Sequence, residues 1–111
     1  MNYKDLTFWK KSYQLCINVY MICKELPKDE KFGLVSQIQR SAVSIPSNIA
    51  EGQQRNSNKE FKQFLGIAEG SSAELETQLM LAKDIYGCNV DKEVITIDEI
   101  QRMIQSLINK L

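Results

Sequence analysis

This 111-residue chain predicts an all-α fold, an antiparallel up-down bundle of four helices. Three observations carry that reading. Apolar residues recur at spacings of three and four along four segments, the links between segments are short and polar, and no partner exists for the one β-branched run that could suggest a strand. Two prolines and five glycines are compatible with the same class. The length allows a single domain over residues 1–111, large enough for a real core but with little margin.

The first helix is expected over 6–26, capped by Asp5 or Thr7 and stopped before Pro27. Leu6, Trp9, Tyr13, Cys16, Tyr20 and Cys23 form one apolar seam along it. Phe8, Leu15, Val19, Ile22 and Leu26 form a second, centred roughly 120° away on a helical wheel. Together the seams cover over half the circumference, so one should face the chain's own bundle and the other another helix, from this chain or another subunit.

The second helix is expected over 29–53, opened by Pro27 and the acids Asp29 and Glu30, which suit the positive end of a helix dipole. Leu34, Ile38, Ala42, Ile45 and Ile49 make its core stripe. Pro46 removes the hydrogen bond to the Ala42 carbonyl, so a kink is expected there, with a break into two helices as the alternative. The third helix is expected over 57–86. Ser57 and Glu60 have capping-box spacing, and Gly87 is placed to end it. Its seam runs Phe61, Phe64/Leu65, Ala68, Leu75, Leu79, Ala82 and Tyr86, and Gly66 and Gly70 would let a neighbouring backbone come close. The fourth is expected over 91–110. Val94–Ile97 is β-branched, but Ile97, Ile100, Ile104, Leu107 and Leu111 keep helical spacing. Asp91 is the favoured cap, and Thr96 with Glu99 is a later start.

Charge is the most informative pattern. Between Lys31 and Glu51 the only charged side chain is Arg40, and between Lys62 and Lys83 the only ones are Glu69, Glu74 and Glu76. Helices so poor in Lys and Glu should be enclosed on most sides, which a chain this short can hardly do alone. Net charge is zero, yet residues 1–62 hold ten Lys/Arg against six Asp/Glu. Such polarity suits subunit docking or a one-sided basic patch.

The polar face of the second helix gathers Gln37, Arg40, Ser41, Ser44, Asn48, Glu51 and Arg55 in an arc of about 100°. It reads as a hydrogen-bonded helix interface, or as a groove or channel for a polar ligand or RNA backbone. The candidate residues of this interface or channel are Gln37, Arg40, Ser44, Asn48 and Glu51, with Glu74 and Gln78 of the third helix. If Arg40 is buried it needs a partner, and an ion pair to Glu74, within the chain or across a subunit boundary, is the hypothesis. The alternative places Arg40 on a solvent-lined channel. Candidate nucleic-acid contacts are Lys4, Lys10 and Lys11 at the first helix, with Arg55, Lys59 and Lys62 at the third.

Catalysis is not expected. There is no histidine, so Ser and Cys lack the usual base and the Glu-x-x-His di-iron motif is excluded. Gly66–Ser72 lacks the lysine of a phosphate loop, and no cofactor or metal site is read. Cys16, Cys23 and Cys88 form no C-x-x-C pair and suggest reduced thiols in a cytoplasmic protein. No apolar run approaches a membrane span, and the amino terminus does not read as a signal peptide.

Several runs together resemble a known family: Tyr3-Lys4-Asp5-Leu6 with Trp9-Lys10, Phe32-Gly33-Leu34, Ser36-Gln37-Ile38-Gln39-Arg40, and above all Ser44-Ile45-Pro46-Ser47-Asn48-Ile49-Ala50-Glu51-Gly52, with Glu74-Leu75-Glu76-Thr77-Gln78. On these the chain resembles the small four-helix-bundle family encoded in intervening sequences of bacterial large-subunit ribosomal RNA genes. The resemblance implies a ring-shaped homopentamer. It also implies kinship to the accessory variability protein of diversity-generating retroelements, which works with a reverse transcriptase and RNA. The expected partners are therefore other copies of the chain, and RNA or a nucleic-acid enzyme, with no membrane. Two functions follow: a non-enzymatic oligomeric scaffold for a nucleoprotein partner, or a direct RNA-binding module acting through a basic rim. A small-molecule pocket on the polar face of the second helix is a third.

Overall fold

Helical periodicity is realised in four α-helices: α1 Thr7–Cys23, α2 Leu34–Gln53, α3 Asn58–Tyr86 and α4 Asp91–Lys110. The computed structural model describes residues 2–111. Short 3₁₀ turns at Tyr3–Asp5 and Lys28–Glu30 precede α1 and α2. At 1.5 Å per residue, the 29 residues of α3 span about 43 Å, which is the long axis of the molecule, 43 × 23 × 19 Å. Each helix packs against its two neighbours in the order α1–α2–α3–α4–α1, and α2 with α3 is the most extensive pair. Cross-helix bonds fix the antiparallel register: Ser44 meets Ser71, Ser41 meets Gln78, Lys83 meets Asp91 and Lys11 meets Glu99.

The core stripes were legible. Ile38, Ala42, Ile45 and Ile49 of α2, Leu65, Ala68, Leu75, Leu79 and Ala82 of α3, and Ile97, Ile100 and Ile104 of α4 are all fully buried. From α1 the core takes Phe8, Leu15, Val19 and Ile22. The seam containing Trp9, Tyr13, Cys16 and Tyr20 lies to the side, and Tyr13 is 54% exposed. The chain alone does not enclose its charge-poor helices: Val43, Ile67, Met80 and Leu81 all stand in solvent.

Helix ends differ from the expected ones for identifiable reasons. Leu6, not Asp5 or Thr7, is the N-cap of α1, because Asp5 is used in the 3₁₀ turn that Asn2 caps through the Lys4 amide at 2.9 Å. α1 stops at Cys23, and α2 begins at Leu34 rather than near 29. The acids of that link sit in their own turn, and Glu30 Oε1 accepts from the Leu34 amide at 3.0 Å. Tyr86 at the end of α3 donates to the other oxygen of Glu30. Those two bonds hold the Glu30 carboxyl below its usual pKa. α2 continues through Pro46 without a break. Ser57 caps α3 by accepting from the Glu60 amide at 3.2 Å, and Gly87 closes it at φ 73°. α4 starts at Asp91 itself, with Val90 as N-cap, so the β-branched run is helical and the later start at Thr96 is not used.

Two kinds of helical glycine appear. A Cβ on Gly52 would lie 2.6 Å from Phe64 Cβ, so the α2–α3 corner closes only around glycine. Gly66 and Gly70 have open space where a Cβ would go. Each costs α3 about 1 kcal/mol relative to alanine, and the close neighbour expected there is not supplied by this chain.

Candidate functional site

Two surfaces concentrate the unusual chemistry. The first is the α2–α3 face that the sequence singled out. Ser41 Oγ donates to Gln78 Oε1 at 2.6 Å, and the Ser44 and Ser71 hydroxyls meet at 2.7 Å. Asn48 Nδ2 donates to the Ser44 carbonyl at 2.7 Å and to its hydroxyl at 2.9 Å. Ser41, Ser71 and Gln78 are buried by these contacts. Much of the polar arc thus knits α2 to α3 within one chain, where small hydroxyls allow close approach.

Above that floor lies an open cleft of about 440 Å³ lined by Gln37, Arg40, Ser41, Ser44, Ser71, Glu74 and Gln78. Arg40 and Glu74 are exposed on its walls. The intrachain ion pair expected between them is not formed, and Arg40 makes no ion pair among the described residues. Water solvates both groups, so neither requires the other. Glu51 does not line the cleft and pairs with Arg55 at 3.0 Å.

The second surface is a groove of about 690 Å³ between α1 and α2, lined by Tyr3, Trp9, Tyr13, Cys16, Ile17, Tyr20, Met21, Lys24, Val43, Pro46, Ser47 and Ala50. Tyr3 packs edge-on to Trp9 at 5.3 Å between ring centroids, and Trp9 lies 5.2 Å from Tyr13, so one wall is a preformed aromatic stack. Cys16 Sγ donates to the Ala42 carbonyl at 2.9 Å, the group whose helical donor Pro46 removes. Burial pushes the Cys16 thiol up to about 11, so it remains a protonated donor at neutral pH. The seam of Trp9, Tyr13, Cys16 and Tyr20 was read from the sequence. Ile17, Met21 and Val43 were missed, since they extend that seam sideways and become one surface only when α2 is set beside α1.

The topology also sorts the cations. Residues 2–13, 48–65 and 101–111 share one end of the bundle and hold eight Lys/Arg against three Asp/Glu. Residues 22–38 and 76–97, at the other end, hold five against seven. All six candidate nucleic-acid contacts fall at the basic end. Lys11 pairs with Glu99 at 2.9 Å, and Arg55, besides its pairing with Glu51, stacks 4.8 Å over the Phe64 ring. Lys4, Lys10, Lys59 and Lys62 are exposed and form no ion pair among the described residues.

Among the described residues no three of Cys, Asp and Glu stand close enough to hold a metal, and no helix is long and apolar enough to cross a membrane. Cys16, Cys23 and Cys88 are free thiols.

The family model described as 23S rRNA-intervening sequence protein matches residues 4–109. The chain is also similar to the crystal structure of a protein of unknown function from the S23 ribosomal protein family of Bacteroides thetaiotaomicron. The TM-score is 0.84 at 27% identity, covering 92% of this chain and 98% of that one. No curated protein matches.

Proposed function

From its place in the 23S rRNA-intervening sequence protein family, to which this chain belongs, we propose that it is a non-catalytic, cytoplasmic helical scaffold. It works as a homo-oligomer, a homopentamer by the family resemblance, and serves a nucleoprotein partner. The observation that carries this reading is the α1–α2 groove, an aromatic and aliphatic surface on a chain with few residues to spare. Contiguous apolar surface of this kind on a small domain marks an interaction site. Sedimentation equilibrium at micromolar concentration tests it. The expected mass is five times the 12.8 kDa chain, and a stable monomer overturns the reading. The Arg40–Glu74 pair that is absent within one chain belongs here as a contact between subunits, so Arg40→Met is expected to weaken assembly.

A second reading, direct RNA binding through a basic rim, is supported by the gathering of Lys4, Lys10, Lys59 and Lys62 at one end of the bundle. An oligomer would multiply those phosphate contacts, and each contributes to a steep salt dependence. Retention on a structured RNA that falls as salt rises, and that is lost in Lys59→Glu/Lys62→Glu, favours this reading. Salt-independent or absent retention removes it.

A further inference from the structure

Two matched rows of side chains form the α2–α3 cleft. Gln37, Arg40 and Ser44 stand at i, i+3 and i+7 on α2, and Ser71, Glu74 and Gln78 repeat that spacing on α3. The bonds Ser44–Ser71 and Ser41–Gln78 join the two helices at the base. The middle members of the rows, Arg40 and Glu74, therefore stand on the two sides of the cleft. Each side carries one full charge, of opposite sign, and the two form no ion pair with each other.

Between them the floor holds donors that the chain does not use. Gln78 is only 7% exposed, and its Oε1 accepts from Ser41 at 2.6 Å. That separation suits a hydroxyl donor and is short for an amide N–H, so Oε1 lies on the serine side. Nε2 is left without a hydrogen bond among the described residues. Every fully buried side-chain nitrogen or oxygen among them has a partner, so Nε2 is open to the cleft that Gln78 lines. The Ser44 and Ser71 hydroxyls own two hydrogens, and their 2.7 Å contact uses one. Asn48 donates to Ser44 rather than accepting from it, so the second hydrogen has no acceptor among the described residues.

We propose that this cleft binds a small zwitterion, a molecule of the amino-acid class with one carboxylate and one ammonium. The Arg40 guanidinium supplies the paired donors that fit a carboxylate, and Gln78 Nε2 and the spare serine hydroxyl add donors from the floor. The Glu74 carboxylate takes the ammonium. A lone anion would meet Glu74 as a like charge and a lone cation would meet Arg40, so both are disfavoured against the zwitterion. No aromatic or large apolar side chain lines the cleft, which leaves no stacking face for a nucleobase. Its volume of about 440 Å³ suits a free amino acid or a dipeptide. The site is complete within one chain and does not rest on self-assembly, although a subunit contact at Arg40 would draw on the same guanidinium.

Calorimetric titration with glycine, β-alanine and γ-aminobutyrate varies the separation of the two charges, with acetate and methylammonium as single-charge controls. One of the zwitterions is expected to bind about tenfold or more tightly than either control, the ratio that one added charge-assisted hydrogen bond supplies. Glu74→Gln, at an exposed position, is expected to abolish that preference, so that zwitterion and acetate bind alike. Arg40→Gln is expected to weaken zwitterion and acetate together. The Gln78 side-chain amide signal in a nitrogen-15 NMR spectrum is expected to shift during the titration, and circular dichroism checks that each variant is folded. No preference for a zwitterion over acetate, a preference that survives Glu74→Gln, or an unmoved Gln78 amide overturns the proposal. Sedimentation at the same concentration separates it from assembly. If Arg40→Gln alters the mass and leaves zwitterion affinity unchanged, Arg40 belongs to the subunit contact and the zwitterion site falls.

Discussion

Replacing Cys16 by alanine removes the thiol that donates to the Ala42 carbonyl at 2.9 Å, and the consequence depends on Pro46. In an uninterrupted helix the amide of residue 46 would donate to that carbonyl, but proline has none. Ala42 is fully buried, so without Cys16 its carbonyl loses the donor that replaces the amide. An unsatisfied buried acceptor costs about 1–3 kcal/mol, and the weak S–H donor places this bond at the low end. Cys16→Ala should therefore destabilise the fold by about 1.5 kcal/mol, of which about 0.5 kcal/mol is lost packing of a half-buried sulfur. Pro46→Ala restores the amide. In that background Cys16→Ala should cost only the packing part, a coupling of about 1 kcal/mol in a double-mutant cycle. Urea denaturation of the four proteins at one matched concentration measures it, since assembly makes stability concentration-dependent. Cys16→Ser keeps a donor and should retain most of the coupling. A coupling below about 0.3 kcal/mol would be ordinary additivity and would refute the claim that the thiol replaces the missing amide.

Other perturbations follow from the same packing. Gly52→Ala sets a Cβ 2.6 Å from Phe64 Cβ, so it should lower the denaturation midpoint by an amount equivalent to about 1–3 kcal/mol; an unchanged midpoint would mean the α2–α3 corner is free to open. Ser57→Ala removes the only side-chain acceptor at the α3 N-cap and should cost about 1 kcal/mol, with Ser57→Asp close to neutral by the same assay. Burial raises the Cys16 and Cys23 thiols from 9.0 to about 11, so the fold favours their protonated forms. Their contribution to stability is complete below pH 9 and declines as the pH rises toward 11, because the unfolded chain loses those protons first. The difference in stability between the unmodified chain and Cys16→Ala/Cys23→Ala should shrink over that window, and a flat difference counts against burial as the cause. Tyr86→Phe removes the donor to Glu30 and should return the Glu30 carboxyl toward its ordinary pKa in a carbon-13 NMR titration.

The four helices were legible because their signals are local. A stripe such as Ile97, Ile100 and Ile104 repeats within its own segment, and that was enough to outweigh the β-branched run at 94–97. The caps Ser57 and Gly87 were legible for the same reason. The ends of α1 and α2 were not, because Asp5, Asp29 and Glu30 carry helix-start chemistry that a 3₁₀ turn uses equally well. On the polar arc, the sequence located Ser41, Ser44, Asn48 and Gln78 on two helices but could not say that Ser41 and Gln78 would meet. The scarcity of charge around Arg40 was compatible with burial against Glu74 or with a place on a solvent-lined channel. Arg40 stands exposed because the cleft above the serine floor stays open within one chain.

The chain's own residues determined the number of helices, their core stripes, the orphaned Ala42 carbonyl and the shortage of charge that one chain cannot enclose. Those properties depend on neighbours a few residues away, where 3.6-residue periodicity and backbone hydrogen bonding set the rules. Only the tertiary arrangement decided which of the two α1 seams entered the core, that Cys16 would reach the Ala42 carbonyl, and that six separated cations would share one end. Each of these depends on which helix lies alongside and in what register, and residues far apart in the chain supply both.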